Sequence, residues 1–502
     1  MFDRYGRFLK SDRKPSIASR KGKSDMQSEQ ANNGAITRRA AVAASLAPLI
    51  VPRHVLGGVG FQAPSDTLTI AAVGIAGMGR NYIDGCKAER FVAMCDLDWT
   101  RPNTMNVFNA FPSARRYRDF RQMFDKEEKN FDALIIAVPD HWHAIMLMSA
   151  IKMQKHIYCA KPIVHSVSEA RTVRKALLAN PKLITKGSIQ SSRSENARST
   201  TELFTSGVIG PIREVHVWTW HPIYPCNLSR PTDVQTPPEG MDWDLWIGPA
   251  PFRPYNRAYH PEIWRAWWDF GSGDVSDMAC HMLHTFFEEL QLQAPSEIYG
   301  DCSTRIDVYN TPKATPETEG YANTAVWTFP TRGKLPPLTL HWYDGGIKPP
   351  RPVELDHGLA MPRDGVLYVG EKGKLLAAYE GGNPFARGGR GGVPVTVTRG
   401  LPGGLLLPES RFKDFKQPAK TLARCAQGDH YTEWTRCAKQ GKPTCLPVPL
   451  AAQMTELALL GTLAQKTGKL LEWDSQAMQV TNEKEVNQLL NPEYRKPWTL
   501  PA

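Results

Sequence analysis

The sequence predicts an α/β chain, with an N-terminal doubly wound parallel sheet followed by a C-terminal α+β domain whose sheet is open and mostly antiparallel. Three observations predict it. From Leu68 to Ile189, short apolar runs alternate with helix-compatible segments. The first run breaks at a glycine turn, Gly74-Ile75-Ala76-Gly77-Met78-Gly79. Beyond residue 190 the strand-like runs lengthen and alternate apolar with polar side chains, as in a sheet with one covered face. A chain of 502 residues is long enough for two cored domains. They are placed at 65–190 and 191–475, behind a leader at 1–60 and ahead of a tail at 476–502.

In the first domain, the run Leu68 to Val73, the turn and the segment after it read as strand, tight turn and helix start. Such a turn turns backbone N–H groups and the positive end of a helix toward a pyrophosphate. Its spacing is G-x-A-x-x-G, with Ala76 where a second glycine usually lets the backbone come close. Gly74, Ala76, Gly77, Met78, Gly79 and Arg80 form a candidate dinucleotide cradle; a glycine turn between any strand and helix has the same look. Phe91 to Leu97 is a second strand. Its Asp96 follows Gly79 by 17 residues, near the interval that sets a carboxylate on the adenosine ribose. A carboxylate there accepts from a 2′-hydroxyl and repels a 2′-phosphate, which favours NAD over NADP; the alternative is a turn aspartate. Phe131 to Val138 is an almost unbroken apolar run, expected of a strand covered on both faces. It stops at Pro139-Asp140-His141-Trp142-His143. The strand Lys155 to Cys159 runs into Ala160-Lys161-Pro162, and the helix Ser166 to Leu178 and the strand Leu183 to Ile189 complete a Rossmann-type pattern.

The second domain opens with a helix, Ser194 to Thr205, and a strand, Ile212 to Trp220. Later strands are Thr324 to Phe329, Leu338 to Trp342, Gly365 to Val369 and Lys374 to Tyr379. An insertion at 218–270 holds seven of the 14 tryptophans. Aromatic faces suit the C–H surface of a sugar; plain packing of a long loop explains them equally. Trp264, Arg265 and Tyr255 are the candidate substrate contacts there. In Gly273 to His284, Asp277 and His281 are four apart and share a helix face. A carboxylate so placed can hold an imidazole tautomer while the other ring nitrogen takes a hydroxyl proton. Gly381 to Gly404 reads as a linker or a lid, and Ala451 to Lys466 as an amphipathic helix before a return strand, Leu470 to Trp473.

Composition narrows the function classes. Residues 1–53 carry 11 basic and 4 acidic side chains, a surplus of 7 out of the net +11. The rest of the chain is nearly balanced and has no basic stripe interleaved with aromatics, so nucleic acid is not an expected partner. Nine cysteines without a C-x-x-C pair indicate neither a zinc site nor a disulfide framework. Thr37-Arg38-Arg39 precedes twelve mostly apolar residues, Ala40 to Val51. That run is too short for a transmembrane anchor and reads as a twin-arginine export signal, which predicts a periplasmic protein.

The glycine turn, Asp96, V-P-D-H-W-H and the K-P step resemble the Gfo/Idh/MocA oxidoreductases, and the leader resembles that of their exported bacterial members. P-R-H-V-L-G-G at 52–58, M-D-W-D-L-W-I-G-P-A-P at 241–251, G-D-H-Y-T-E-W at 428–434 and the terminal Y-R-K-P-W-T-L extend the likeness. The resemblance implies hydride transfer between bound NAD and a hydroxyl of a sugar, cyclitol or sugar derivative. It implies Lys161, Asp277 and His281 as the catalytic set, with no metal. It adds Pro139, Asp140, His143 and Lys161 to the cofactor contacts and His284 to the substrate contacts. It also implies a homo-oligomer formed through the antiparallel sheet. Ala160, Ala279 and His284 depart from the family's E-K-P and D-x-G-x-H-x-x-D. Two alternatives stay open: an NAD-dependent glycosidase that works by transient oxidation, and a binding protein that has lost catalysis.

Overall fold

The computed structural model describes residues 66–306, 312–313, 317–386, 399–425 and 430–501. The leader, residues 52–58, residues 387–398 of the glycine-rich segment and residues 428–429 lie outside the described residues.

Six parallel strands form the first sheet: β1 (Thr69–Val73), β2 (Arg90–Cys95), β3 (Arg115–Tyr117), β4 (Ala133–Ile136), β5 (His156–Cys159) and β6 (Thr185–Gly187). Their order is β3-β2-β1-β4-β5-β6. All neighbours are parallel, so the order reverses between β1 and β4, where a doubly wound sheet opens a crevice. β4 is buried along its whole length, as its unbroken apolar run predicts. The helix Val167–Ala179 starts at a reciprocal cap. Ser166 Oγ accepts from the Glu169 N–H, and the Glu169 carboxylate accepts from the Ser166 N–H.

The second sheet has nine strands: β7 (Ile212–Trp218), β8 (Glu297–Cys302), β11 (Asn323–Phe329), β12 (Leu338–Tyr343), β13 (Gly365–Gly370), β14 (Gly373–Ala378), β15 (Leu405–Leu407), β16 (Leu471–Asp474) and β17 (Gln479–Val480). A separate small pair is formed by β9 (Arg305–Ile306) and β10 (Pro312–Lys313). The large sheet runs β15-β14-β13-β7-β12-β11-β8-β16-β17. Only β7 and β12 pair in parallel, so the sheet is mixed and mostly antiparallel. β11 and β12 alternate buried and half-buried residues, so the described residues leave one face only partly covered.

Two expectations change. The predicted amphipathic helix is Val448–Thr467, and 14 of its 20 residues are buried. It packs against the Val167–Ala179 helix on one side and against β8, β11 and the Asp274–Leu283 helix on others. A helix between two layers needs apolar residues all round rather than a stripe. Residues 476–501 of the expected tail are not free. β17 extends the nine-stranded sheet, Trp498 packs edge-on against Trp142 at 4.8 Å, and Arg495 pairs with Asp244 at 2.6 Å. One continuous core therefore joins both sheets.

Candidate active site

A cleft of about 800 Å³ opens at the carboxyl ends of β1, β2, β4 and β5 and continues to the Asp274–Leu283 helix. That volume lies within the range of small-molecule and cofactor sites.

The glycine turn forms its floor. Gly74 has φ +75°, and a Cβ there would lie 2.3 Å from the Ala137 carbonyl oxygen; one on Gly79 would lie 1.9 Å from the Gly74 carbonyl oxygen. Those contacts bring strand and helix together. Gly77 caps the helix Met78–Gly85 at φ +53° with open space around it. Ala76, Gly77 and Met78 line the cleft with Gly74. Ala76 is absent from the positive-φ positions, so its methyl imposes no backbone strain. Gly79 supports the turn from behind. Arg80 pairs with Asp84 on the exposed helix face at 2.5 Å and does not line the cleft, contrary to its expected place in the cradle. Gly79→Ala is expected to destabilise the protein by about 2 kcal/mol or more and to strip bound nucleotide, as read by urea unfolding and native mass spectrometry.

Asp96 follows β2 and faces the cleft. Its Oδ2 accepts from the N–H groups of Ile75 at 3.0 Å and Ala76 at 3.4 Å, and its Oδ1 from that of Asp98 at 3.1 Å. Burial raises its carboxyl above the usual range against these three donors. It thus braces the turn itself, and its two oxygens keep lone pairs for a ligand.

Lys161 leaves β5 just before a cis proline, Pro162. Its Nζ donates to Asp277 Oδ1 at 2.8 Å and to the Asp277 carbonyl at 2.9 Å, which leaves one N–H for a ligand. Burial pulls its pKa down, but Asp277 outweighs burial and the net shift is upward. For Asp277 burial pushes up, and Lys161 with Arg265 outweighs it, so the carboxyl sits below its usual range. Lys161 is therefore a firm cation, not the lysine of depressed pKa that desolvation alone suggests.

His281 lines the same cleft one helical turn beyond Asp277. Asp277 does not hold its imidazole, contrary to the i,i+4 reading. The carboxylate is engaged by Lys161, and the acid facing His281 is Glu380, 3.5 Å from Nδ1. Burial lowers the His281 pKa despite Glu380, so the ring is uncharged at neutral pH. Asp140 is buried, and its Oδ2 accepts from Ser272 N–H and Oγ–H at 3.1 and 3.0 Å. Burial first, then Asp277, pushes its carboxyl up to about 7. Pro139 and Asp140 line the cleft.

Three expected contacts point elsewhere. His143 places its ring nitrogens against the carbonyls of Pro162 at 2.7 Å and Val138 at 2.8 Å. It fastens the turn after β4 to the Lys161-Pro162 segment, and burial lowers its pKa to about 4. His284 meets Ser191 Oγ at 2.9 Å, outside the cleft. Tyr255 packs edge-on against Trp243 at 4.9 Å, inside an aromatic cluster with Trp246, Tyr259, Trp267 and Phe270. Most of the tryptophan-rich insertion is packing. Trp246 and Trp264 are the insertion tryptophans that reach the cleft, and there Arg265 lays its guanidinium over the Trp264 ring at 4.4 Å.

Sequence reasoning missed His221 and Tyr224, which enter from the loop after β7. His221 Nδ1 is buried with no hydrogen-bond partner among the described residues. It also missed the pair formed by His260 Nε2 and Asp98 at 3.0 Å at the ribose end. Neither has a spacing signal, since partners 162 residues apart meet only through the fold.

Two family models match this arrangement. Residues 68–187 match the NAD-binding Rossmann fold of the Gfo/Idh/MocA oxidoreductase family, and residues 202–304 match that family's C-terminal alpha/beta domain. The chain belongs to the Gfo/Idh/MocA oxidoreductase family. Gfo/Idh/MocA enzymes of this type are NAD-dependent oxidoreductases, and the first domain is their NAD-binding unit. Among solved structures, the chain is similar to the WlbA dehydrogenase of Bordetella pertussis in complex with NADH and UDP-GlcNAcA: TM-score 0.52, 14% identity, 81% of this chain and 99% of that one. It is also similar to scyllo-inositol dehydrogenase of Lactobacillus casei with bound NAD(H) and scyllo-inositol, with TM-score 0.50, 14% identity, 81% and 99% coverage. These identities show the shared fold. An inositol 2-dehydrogenase of Rubrobacter xylanophilus is 28% identical over 116 residues, 22% of this chain and 32% of that relative. The chain thus matches about a third of that relative's length.

Proposed function

We propose that this Gfo/Idh/MocA protein transfers hydride between bound NAD and a hydroxyl of a sugar, cyclitol or sugar derivative. One observation carries the reading: Lys161, its partner Asp277 and an uncharged His281 line the same cleft that the glycine turn floors. The close strand–helix contacts at Gly74 and Gly79, the open space at Gly77, a helix start and Asp96 fit a dinucleotide. Gly74, Ala76, Gly77 and Met78 would hold its pyrophosphate and Asp96 its ribose diol, which favours NAD over NADP. Bound there, the nicotinamide supplies a hydride acceptor. His281 takes the hydroxyl proton, and the free N–H of Lys161 stabilises the alkoxide that forms. Asp277 keeps Lys161 charged and fixed. Trp264 and Arg265 form the substrate wall. The dehydrogenases of inositols and of a nucleotide sugar among the similar proteins support a polyhydroxylated substrate.

The first test is native mass spectrometry of the folded protein together with NADH formation on a panel of inositols, hexoses and uronic acids. Bound NAD and reduction by one of them support the reading. Cleavage of a nitrophenyl glycoside without net NADH assigns the chain to glycoside hydrolysis instead. The pH profile tests His281. Burial holds its pKa below the ordinary 6.5, so the acid limb of kcat/KM is expected to lie below pH 6.5. His281→Asn should remove that acid limb and lower kcat by roughly 10²–10⁴.

The twin-arginine-type leader supports an exported, periplasmic protein; no helix among the described residues is long and apolar enough to cross a membrane. The partly covered face of β11 and β12 supports a homo-oligomer through the nine-stranded sheet.

A further inference from the structure

A second chemically loaded cluster lies away from the cleft. Lys186 on β6 is fully buried. Its Nζ lies 2.8 Å from Glu433 Oε2 and 2.6 Å from Cys445 Sγ. Glu433 sits on the helix His430–Gln440 and accepts the Cys445 N–H at 2.6 Å through its other oxygen. Cys425 precedes that helix and Cys445 follows it. The two sulfurs and a Glu433 oxygen lie within 4.8 Å of one another. Ser192 Oγ reaches Cys445 Sγ at 3.3 Å. None of these residues lines the cleft, so hydride transfer does not use them.

Two sulfurs and a carboxylate at that spacing have the makings of a metal site, but the place of the cation is taken. The Lys186 ammonium touches two of the three ligand groups, and a divalent ion beside it would be repelled. The ammonium does for Cys445 what a basic neighbour does for a reactive thiol: it favours the thiolate. We propose that Cys425 and Cys445 form a reversible dithiol–disulfide couple in which Cys445, ion-paired with Lys186, is the attacking sulfur.

The protonation states agree with this geometry. A hydrogen bond from Cys425, and then Lys186, bring Cys445 down to about 6 against the opposing effect of burial. Cys425 is raised, first by that same bond and then by its own burial. One sulfur is thus a thiolate and the other a thiol, the pairing that thiol oxidation needs. With hydrogen peroxide as the oxidant, the Cys445 thiolate attacks one oxygen, the O–O bond breaks and hydroxide leaves as water. Cys445 becomes a sulfenic acid. The Cys425 sulfur then attacks Cys445 Sγ, the S–S bond forms, the S–O bond breaks and a second water leaves. Two thiols lose two protons and two electrons, and one peroxide becomes two waters. The product is also better matched to burial, because Lys186 and Glu433 remain as a neutral pair once the thiolate charge is gone.

The new bond would close a loop around the helix His430–Gln440. That helix lies behind the cofactor end of the cleft. Its Tyr431 ring is 6.0 Å from Tyr82, which lines the cleft, and its Trp434 packs edge-on against Tyr158 at 5.3 Å. Oxidation would clamp the element that backs the nucleotide site.

The experiment uses the full-length protein, exposed to hydrogen peroxide or to dithiothreitol, denatured with N-ethylmaleimide and mapped by peptide mass spectrometry. The expected result after peroxide is two fewer alkylated cysteines, a linked Cys425–Cys445 peptide, its loss on dithiothreitol, and a melting temperature a few degrees higher in the oxidised form. Lys186→Met should slow formation of the linked peptide at pH 7 about tenfold; the mapping of the unaltered protein stands without that variant. Alkylation of both cysteines after peroxide overturns the proposal. So does a Cys445 linked to Cys437, a Cys445 joined to Lys186, or a zinc ion in the isolated protein that Cys425→Ser loses.

Discussion

Lys161→Met is expected to lower kcat about a thousandfold while leaving nucleotide bound. The ammonium is placed to meet charge that develops only as the hydroxyl loses its proton, so its removal affects the chemical step more than the binding of either reactant. The nucleotide cradle is built by other elements, β1 and the end of β2. The same substitution should also cost stability, because Asp277 is left as an unpaired, mostly buried carboxylate; breaking such a pair costs about 3–5 kcal/mol. A second variant separates the two effects. Lys161→Met combined with Asp277→Asn removes the orphaned charge and should recover most of the stability without recovering turnover. The pH dependence of the pair has a definite sign. Lys161 is raised in the folded state, so its contribution is present below 10.5 and lost as pH climbs through the folded value. Asp277 is depressed, so its contribution is present above 3.8 and lost as pH falls through the folded value. The pair is intact across the range in which turnover is measured. Stopped-flow NADH formation and urea unfolding on the three proteins decide the matter. A double variant that regains turnover would remove Lys161 from the chemistry.

The first sheet was legible because a strand covered on both faces must be apolar throughout, and β4 is written that way in Ala133-Leu134-Ile135-Ile136. The glycine turn was legible because Gly74 and Gly79 meet backbone that tolerates no side chain. Side-chain pairing was harder to read. The spacing puts Asp277 one turn from His281 and does not show that its partner is Lys161, 116 residues earlier, yet a buried carboxylate pairs with whichever cation the fold brings within 3 Å. Glu380, which faces His281, comes from beyond β14 and has no spacing to announce it. The tryptophan-rich insertion shows a related limit. An aromatic side chain serves a cleft and a core equally well, so Trp264 and Tyr255 look alike in sequence although one lines the cleft and the other packs inside the insertion. The Val448–Thr467 helix was misread for the opposite reason: enough apolar residues to suggest a stripe, and a second layer, invisible in sequence, that made them a belt.

Asp274→Asn is expected to stabilise the protein by an amount that grows as pH rises above about 4, and so by more at pH 8.5 than at pH 6.5. Asp274 starts the helix that carries Asp277 and His281. It is fully buried, and neither carboxylate oxygen has a hydrogen-bond partner among the described residues. Its N–H donates to Glu319 Oε2 at 2.6 Å. Nearby Asp344 accepts from the Asn323 N–H at 2.6 Å and from Trp342 Nε1–H at 2.9 Å. Burial, then Asp344 and Glu319, drive the Asp274 carboxyl well above its usual range. Burial and Asp344 push Glu319 to about 8, and burial pushes Asp344 to about 7. These acids hold protons in the folded state that the unfolded chain releases near pH 4, so they make stability fall as pH rises toward 8. Four buried histidines act in the opposite sense. His141 and His143 are lowered to about 4, His165 and His284 to about 3. Each takes up a proton on unfolding below 6.5, so stability rises with pH until that point. Above pH 6.5 the histidines are neutral in both states, so the acids act alone and stability should fall. Neutralising Asp274 removes one of them. Urea midpoints at pH 6.5 and 8.5 test this directly. An equal fall in both proteins would mean that Asp274 is already relieved by something other than its own proton.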